Sequence, residues 1–283
     1  MHRNSIVMKE IKIALLNMNN NHPNQGMRNI TEISEAFKEH SADRVSIDVF
    51  DVRYKDEMPD TADFDIFISS GGPGNPHREG HAWEQRYADF LDEIWANNMK
   101  SDRKKYLFLV CHSFQLACIH WKLGNVCERK SYSFGVMPIH KTYQGEDDFL
   151  LKNLPEPFYA VDSRAYQFIE PNHAVFEEMG MKIMGLEKMR PHIHLERAVM
   201  AIRFSNEIFG TQFHPEANPK GMLENLKDPK NRDAMIENYG MEKYLETVDR
   251  MDDPDKIVFT QSQILPRFLR HASEQIVKEF QMA

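Results

Sequence analysis

Tyr106-Leu107-Phe108-Leu109-Val110-Cys111-His112-Ser113-Phe114-Gln115 decides the fold. Five apolar or aromatic residues run straight into a cysteine, and Gln115-Leu116-Ala117-Cys118-Ile119 continues as a helix-like segment. A short, uninterrupted apolar run is the mark of a strand buried on both faces of a parallel sheet. A strand that ends on a thiol and turns at once into a helix has the layout of a nucleophile elbow. The turn lifts the sulfur off the strand end. The helix start offers unpaired N–H groups and a positive dipole end, which favour a thiolate. Taken alone, Cys111 reads more readily as a small core residue, as free cysteines usually are. Two further stretches decide in favour of a site.

Outward from the elbow the chain alternates. Ile11 to Leu16 is a first strand, and Asn17 to Gly26, with Pro23, is a loop rich in turn formers. Met27, Ile30, Ile33 and Phe37 recur at helical spacing. Val45 to Phe50 alternates like a strand with one solvated face, and Asp65 to Ile68 is a third strand, stopped by Ser69-Ser70-Gly71-Gly72-Pro73-Gly74. Trp83, Tyr87, Phe90, Leu91 and Ile94 form a helical stripe that reads as core packing. This order predicts an α/β fold: a flavodoxin-like, mostly parallel central sheet flanked by helices. After the elbow helix, Val126 to Ile139 and Pro157 to Ile169 hold short, interrupted runs. Met181 to Leu186, Ala198 to Phe204 and Ile208 to Phe213 read as further strands. Strands without long intervening helices predict a short antiparallel extension. The spacing predicts two units, 1–217 and a helical extension over 218–283. In the latter, Met241, Tyr244, Leu245, Val248 and Met251 form a stripe ended by Asp252-Asp253-Pro254. A last helix follows Pro266 on Phe268, Leu269, Ala272, Ile276 and Phe280.

Composition narrows the function. At 283 residues the chain buries about three quarters of its unfolded surface without staples. A net charge of -8 argues against a nucleic-acid partner. Three cysteines make no disulfide framework, Met1 to Glu10 lacks an apolar core, and no run approaches membrane-spanning length. The expectation is a cytoplasmic protein with no membrane contact. The 13 histidines lack paired metal-ligand spacing; His192-x-His194 comes nearest and reads as a solvated loop.

In open parallel sheets, ligands sit outside the carboxyl ends of the strands. Three stretches converge there. The first carries Cys111. The second is Gly71-Gly72-Pro73-Gly74-Asn75-Pro76, where glycine admits a close backbone approach and proline stiffens the loop. The N–H groups of Gly72 and His112 can together hold an oxyanion. The third is Gly210-Thr211-Gln212-Phe213-His214-Pro215-Glu216. Pro215 holds His214 in extended backbone, so His214 and Glu216 share one face of the strand end. A carboxylate beside an imidazole fixes its tautomer and steadies the imidazolium. With Cys111 at a neighbouring strand end, the set reads as a Cys–His–Glu triad.

The three stretches, in this order, resemble the class I glutamine amidotransferases over roughly residues 11 to 217. The family's marks are a Gly-Gly-Pro-Gly loop, an elbow of the form Gly-x-Cys-x-Gly-x-Gln and a Gln-Phe-His-Pro-Glu strand end. They stand here as Gly71 to Gly74, Leu109 to Gln115 and Gln212 to Glu216. Ser133 to Pro138 also resembles the family's strand after the elbow helix, and the likeness is greatest to the amidotransferase part of GMP synthase and its stand-alone relatives. The resemblance implies that Cys111 attacks the glutamine side-chain amide, that His214, oriented by Glu216, carries protons, and that Gly72 and His112 hold the oxyanion. Gly74 and Gln115 match positions that line the glutamine pocket. No cofactor or metal is implied. Ammonia in the family passes to a synthetase domain or chain.

Leu109 and Ser113 depart from the family, which has glycines there, and Ser163-Arg164-Ala165-Tyr166 stands where nucleotide-linked members carry Ser-His-x-Asp. Three functions therefore stay open: a stand-alone glutaminase with a separate synthetase chain or none, a γ-glutamyl peptidase using the same triad, and a regulatory module that keeps only the fold. The tail's stripes pack on their own domain, form a homodimer contact, or cover Cys111.

Overall fold

The computed structural model describes residues 10–22, 25–191, 193–253 and 256–282. Met1 to Lys9, Pro23, His192 and Pro254 lie outside them. In chain order the elements are β1 (Glu10–Asn17), α1 (Gln25–His40), β2 (Arg44–Asp51), β3 (Ile66–Ser69), α2 (Ala82–Lys100), β4 (Tyr106–Val110) and α3 (His112–His120). There follow β5 (Asn125–Lys141), α4 (Tyr143–Asp147), β6 (Phe158–Ile169), α5 (His173–Glu178), β7 (Lys182–Glu187), β8 (Val199–Arg203) and β9 (Ile208–Thr211). The chain closes with α6 (Pro219–Lys227), α7 (Pro229–Tyr239), α8 (Met241–Asp252) and α9 (Ile257–Met282).

The strands form one nine-stranded sheet in the order β2-β1-β3-β4-β9-β8-β7-β5-β6. The pairs from β2 through β9 are parallel, and those from β9 to β6 antiparallel. Both faces of β1, β3 and β4 are covered, which is why they read as apolar runs, while the edge strand β2 alternates. Ile13 and Leu15 of β1 point into a core shared with Ile30 of α1 and with Ile264, Phe268 and Ala272 of α9. Their neighbours Ala14 and Leu16 point the other way, into a core shared with Trp83, Tyr87 and Leu91 of α2 and Phe114 of α3. All five residues of β4 are buried.

Three elements differ from the sequence expectation. The runs Val126 to Ile139 and Pro157 to Ile169 form a long hairpin, with β5 spanning 17 residues. A register irregularity between Glu128 and Ser133 lets one strand carry the break that reads as two runs. In α8 only part of the apolar stripe is buried: Met251 lies in a core against which Tyr244 packs, while Met241 and Leu245 are more than half exposed. The helix presents Thr247 to the backbone of Gly135 in β5, and Arg250 donates to the Val136 carbonyl. The last helix does not begin at Pro266 but runs through it. Packing of Ile264, Leu265, Phe268 and Leu269 on the sheet outweighs the lost backbone bond. Among the described residues no helix is long and apolar enough to cross a membrane.

Candidate active site

The end of β4 builds the centre of the site. Cys111 stands between β4 and α3 with φ 48° and ψ -96°, a strained backbone for a residue with a side chain. Its N–H donates to the Thr211 carbonyl at 2.7 Å, so the elbow is tied to the last parallel strand, and its carbonyl accepts from the Gln115 N–H at 3.0 Å. The chain leaving β9 then passes the thiol. Although β6 lies four places from β9 in the sheet, the antiparallel wing curls back, and the His214 N–H donates to the Val161 carbonyl at 2.8 Å. That bond and the following Pro215 fix the backbone that carries the imidazole.

The structure brings Cys111, His214 and Glu216 together. His214 Nδ1 is 2.8 Å from Glu216 Oε1. Cys111 Cβ and His214 Cε1 both press on Gly71, at 3.4 and 2.9 Å from the point where a side chain would begin. Any larger residue at Gly71 would push thiol and imidazole apart. Burial pushes the imidazole toward its neutral form. The charges of Glu216 and Cys111, with the hydrogen bond to Glu216, outweigh it and hold His214 well above the usual histidine range. Glu216 is buried, and its Oε2 has no partner among the described residues.

The other residues singled out by sequence fall around this centre. Gly72 is required by close approach: a Cβ there would lie 2.2 Å from the Met18 carbonyl oxygen. Gly74 has φ 101°, where glycine is favoured. The N–H groups of Gly72 and His112 have no protein acceptor among the described residues. The His112 imidazole is buried and neutral; burial first, then the charge of Arg53, takes it down to about 3. Gln115 donates both amide hydrogens within the protein, to Tyr166 O at 3.3 Å and Gln212 Oε1 at 3.0 Å. Only its oxygen is left to offer a ligand. Cys118 is fully buried and its thiol is pushed up by that burial; Cys127 accepts a weak hydrogen bond from Gln167.

Residues 27–228, well over half of the chain, match the class-I glutamine amidotransferase family. The chain belongs to that family. A comparison of this chain with curated proteins found no match. Among solved structures, a glutamine amidotransferase from Thermotoga maritima superposes with a TM-score of 0.66 at 12% identity, covering 93% of this chain and 98% of its own. One from Methylobacillus flagellatus gives 0.62 at 14%, covering 96% and 95%. The glutaminase domain of Trypanosoma brucei CTPS, solved with acivicin, gives 0.52 at 17%, covering 73% and 86%. At these identities the likeness is one of fold.

This amidotransferase-family chain also has site residues that sequence reasoning did not single out. Gln212 is fully buried and donates to Cys111 Sγ at 3.6 Å. It stands two residues before His214, so the alternation that pairs His214 with Glu216 could have found it. The Ser163 carbonyl lies 3.8 Å from Cys111 Sγ as acceptor for the thiol. Ser113 donates to the Ser70 carbonyl at 2.6 Å and shares a hydrogen bond with Ser69 at 2.7 Å, where Tyr87 also donates. These contacts join segments tens of residues apart, and no local pattern announces them.

Proposed function

We propose that this chain is a glutaminase: it hydrolyses the side-chain amide of glutamine through Cys111, His214 and Glu216 and releases ammonia for an acceptor. Cys111 gives its thiol proton to His214, and the sulfur attacks the amide carbon. The carbonyl oxygen, now negative, is held by the N–H groups of Gly72 and His112. His214 passes a proton to the leaving nitrogen, and ammonia departs from a γ-glutamyl thioester. Water, deprotonated by His214, then attacks the thioester, and glutamate leaves with the thiol restored. Glu216 holds the imidazole tautomer with Nε2 toward sulfur and steadies the imidazolium.

The observation that carries this reading is the single contact group of Cys111, His214 and Gly71, with Glu216 locked to the far side of the ring. A neighbouring structure described as a glutaminase domain of a CTP synthase supports a synthetase chain as the consumer of the ammonia. Homodimer formation through the exposed Met241 and Leu245 of α8 is a further proposal. The test is ammonia and glutamate release from glutamine beside release from γ-glutamyl dipeptides. Faster turnover of glutamine supports the proposal. Turnover of the dipeptides alone makes the chain a γ-glutamyl hydrolase, and turnover of neither makes it a non-catalytic member of the family.

A further inference from the structure

Gly71 and Gly72 face opposite ways. The missing side chain of Gly71 points at Cys111 and His214; that of Gly72 points at Met18 O and, 3.3 Å away, at Nη1 of Arg53. The glycine loop therefore has a thiol side and a rear side, and Arg53 occupies the rear. Its Nη1 donates to the Pro73 carbonyl at 2.6 Å and to the Met18 carbonyl at 3.2 Å. Nη2 lies 3.5 Å from the Cβ position of Gly74, and the guanidinium lies 5.1 Å from the centre of the Trp83 ring. One side chain thus joins the end of β1, the middle of the loop and the start of α2.

We propose that Arg53 is a positioning residue for the amide-cleaving reaction: it clamps the Gly71–Gly74 loop from behind, keeps the Gly72 N–H aimed at the oxyanion, and places a fixed positive charge behind it. The inference rests on the glutaminase reading. Three observations support it beyond the distances. Arg53 Nε is buried without a partner among the described residues, a cost that an arginine merely covering surface would not bear. The bond to Pro73 is charge-assisted, and the same Nη1 also donates to Met18, so one charged group ties the end of β1 to the loop. Burial depresses the His112 imidazole, and the charge of Arg53 adds to it; burial also lowers Arg53 itself, against the opposing charges of Glu79 and Glu84. No sequence pattern flags Arg53, because it acts on a loop twenty positions away.

The experiment measures kcat and KM for glutamate release by the full chain and by Arg53→Met, Arg53→Lys and Arg53→Ala, with Cys111 alkylation by iodoacetamide as a second readout. Expected for Arg53→Met is a kcat about 100-fold lower, the scale of losing one oxyanion donor, with KM and alkylation rate unchanged. Arg53→Lys should fall between, and added guanidinium ion should restore part of the activity of Arg53→Ala. Wild-type kcat in Arg53→Met, a loss confined to KM, alkylation falling in step with turnover, or no rescue by guanidinium would each overturn the proposal. If Arg53→Met fails to fold, Arg53→Lys decides by the same criteria: lowered kcat at constant KM supports, wild-type kcat overturns. A parent chain that alkylates at Cys111 but releases no glutamate would instead remove the glutaminase reading, and this proposal with it.

Discussion

Leu109 stands directly across from Gly210 in the β4–β9 register, and the rings of Phe114 and Phe204 close over the glycine beside it. A Cβ on Gly210 would lie 2.9 Å from ring carbons of Phe114 and Phe204 and 3.3 Å from Leu109 Cβ. The family's elbow has a glycine where this chain has Leu109. Here the bare backbone of Gly210 leaves room for Phe114 of α3 to pack on the sheet next to the leucine. Gly210→Ala should destabilise by about 1–3 kcal/mol through overpacking. Leu109→Ala, which empties a fully buried site, should cost about 2–5 kcal/mol. Urea unfolding of each variant and of the pair measures this. The pair should cost less than the sum, because the rings of Phe114 and Phe204 that the added methyl meets share one core with Leu109 and can shift into the space its side chain leaves. Simple additivity would contradict the packing account.

Ser113, the second departure, is a strut between the elbow helix and the glycine loop. Its hydroxyl meets Ser70 O and Ser69 Oγ, and Tyr87 joins the same cluster from α2. Burial pushes the Tyr87 phenol up to about 12, so it remains a donor across the working pH range. Ser113→Ala should cost about 1–3 kcal/mol by leaving buried partners unpaired. A double-mutant cycle with Tyr87→Phe should show coupling of about 0.5–3 kcal/mol. Zero coupling would mean the cluster does not act as a unit.

His214 makes stability depend on pH. Burial alone would lower its proton affinity, but Glu216 and Cys111 raise it well above the ordinary value in the folded state. A raised folded value means a stabilising contribution that is complete below the unfolded pKa, about 6.5, and is lost as pH rises through the folded value. The advantage of the wild-type chain over His214→Gln in denaturant unfolding should therefore be greatest below about pH 6.5 and shrink in alkaline solution. An advantage that grew with pH would contradict the ion-paired imidazolium.

How much of this was legible in the sequence differs by residue. Tyr106 to Val110 announces a strand buried on both faces because nothing polar interrupts it, and the thiol at its end marks the elbow. His214 and Glu216 are legible as a pair because two residues of extended chain bring side chains to one face. The curl that delivers His214 to Val161 is not legible, since it depends on four strand pairings summed across the wing. The same holds for α8, whose stripe is split: Met241 and Leu245 stay exposed, Tyr244 and Met251 pack on a core, and Thr247 and Arg250 meet β5. Helix α9 crosses Pro266 because apolar burial on both sides of it exceeds a local penalty. Arg53 and Ser113 act on loops far along the chain, so only the assembled fold reveals them.

The thiols should separate cleanly. Cys118 has no exposed surface and a thiol pushed up by burial. Under native conditions iodoacetamide should spare it, and peptide mapping should find the activity-linked label on Cys111. Loss of activity tracking with label on Cys118 would move the site elsewhere.

The central claim is that the sulfur of Cys111 is the atom that opens the glutamine amide. Glutamate release by Cys111→Ala beside the parent chain tests it most directly, with unfolding midpoints confirming that both are folded. The account predicts steady release by the parent and none above the uncatalysed background by the variant. Release by Cys111→Ala at the parent's rate would contradict it.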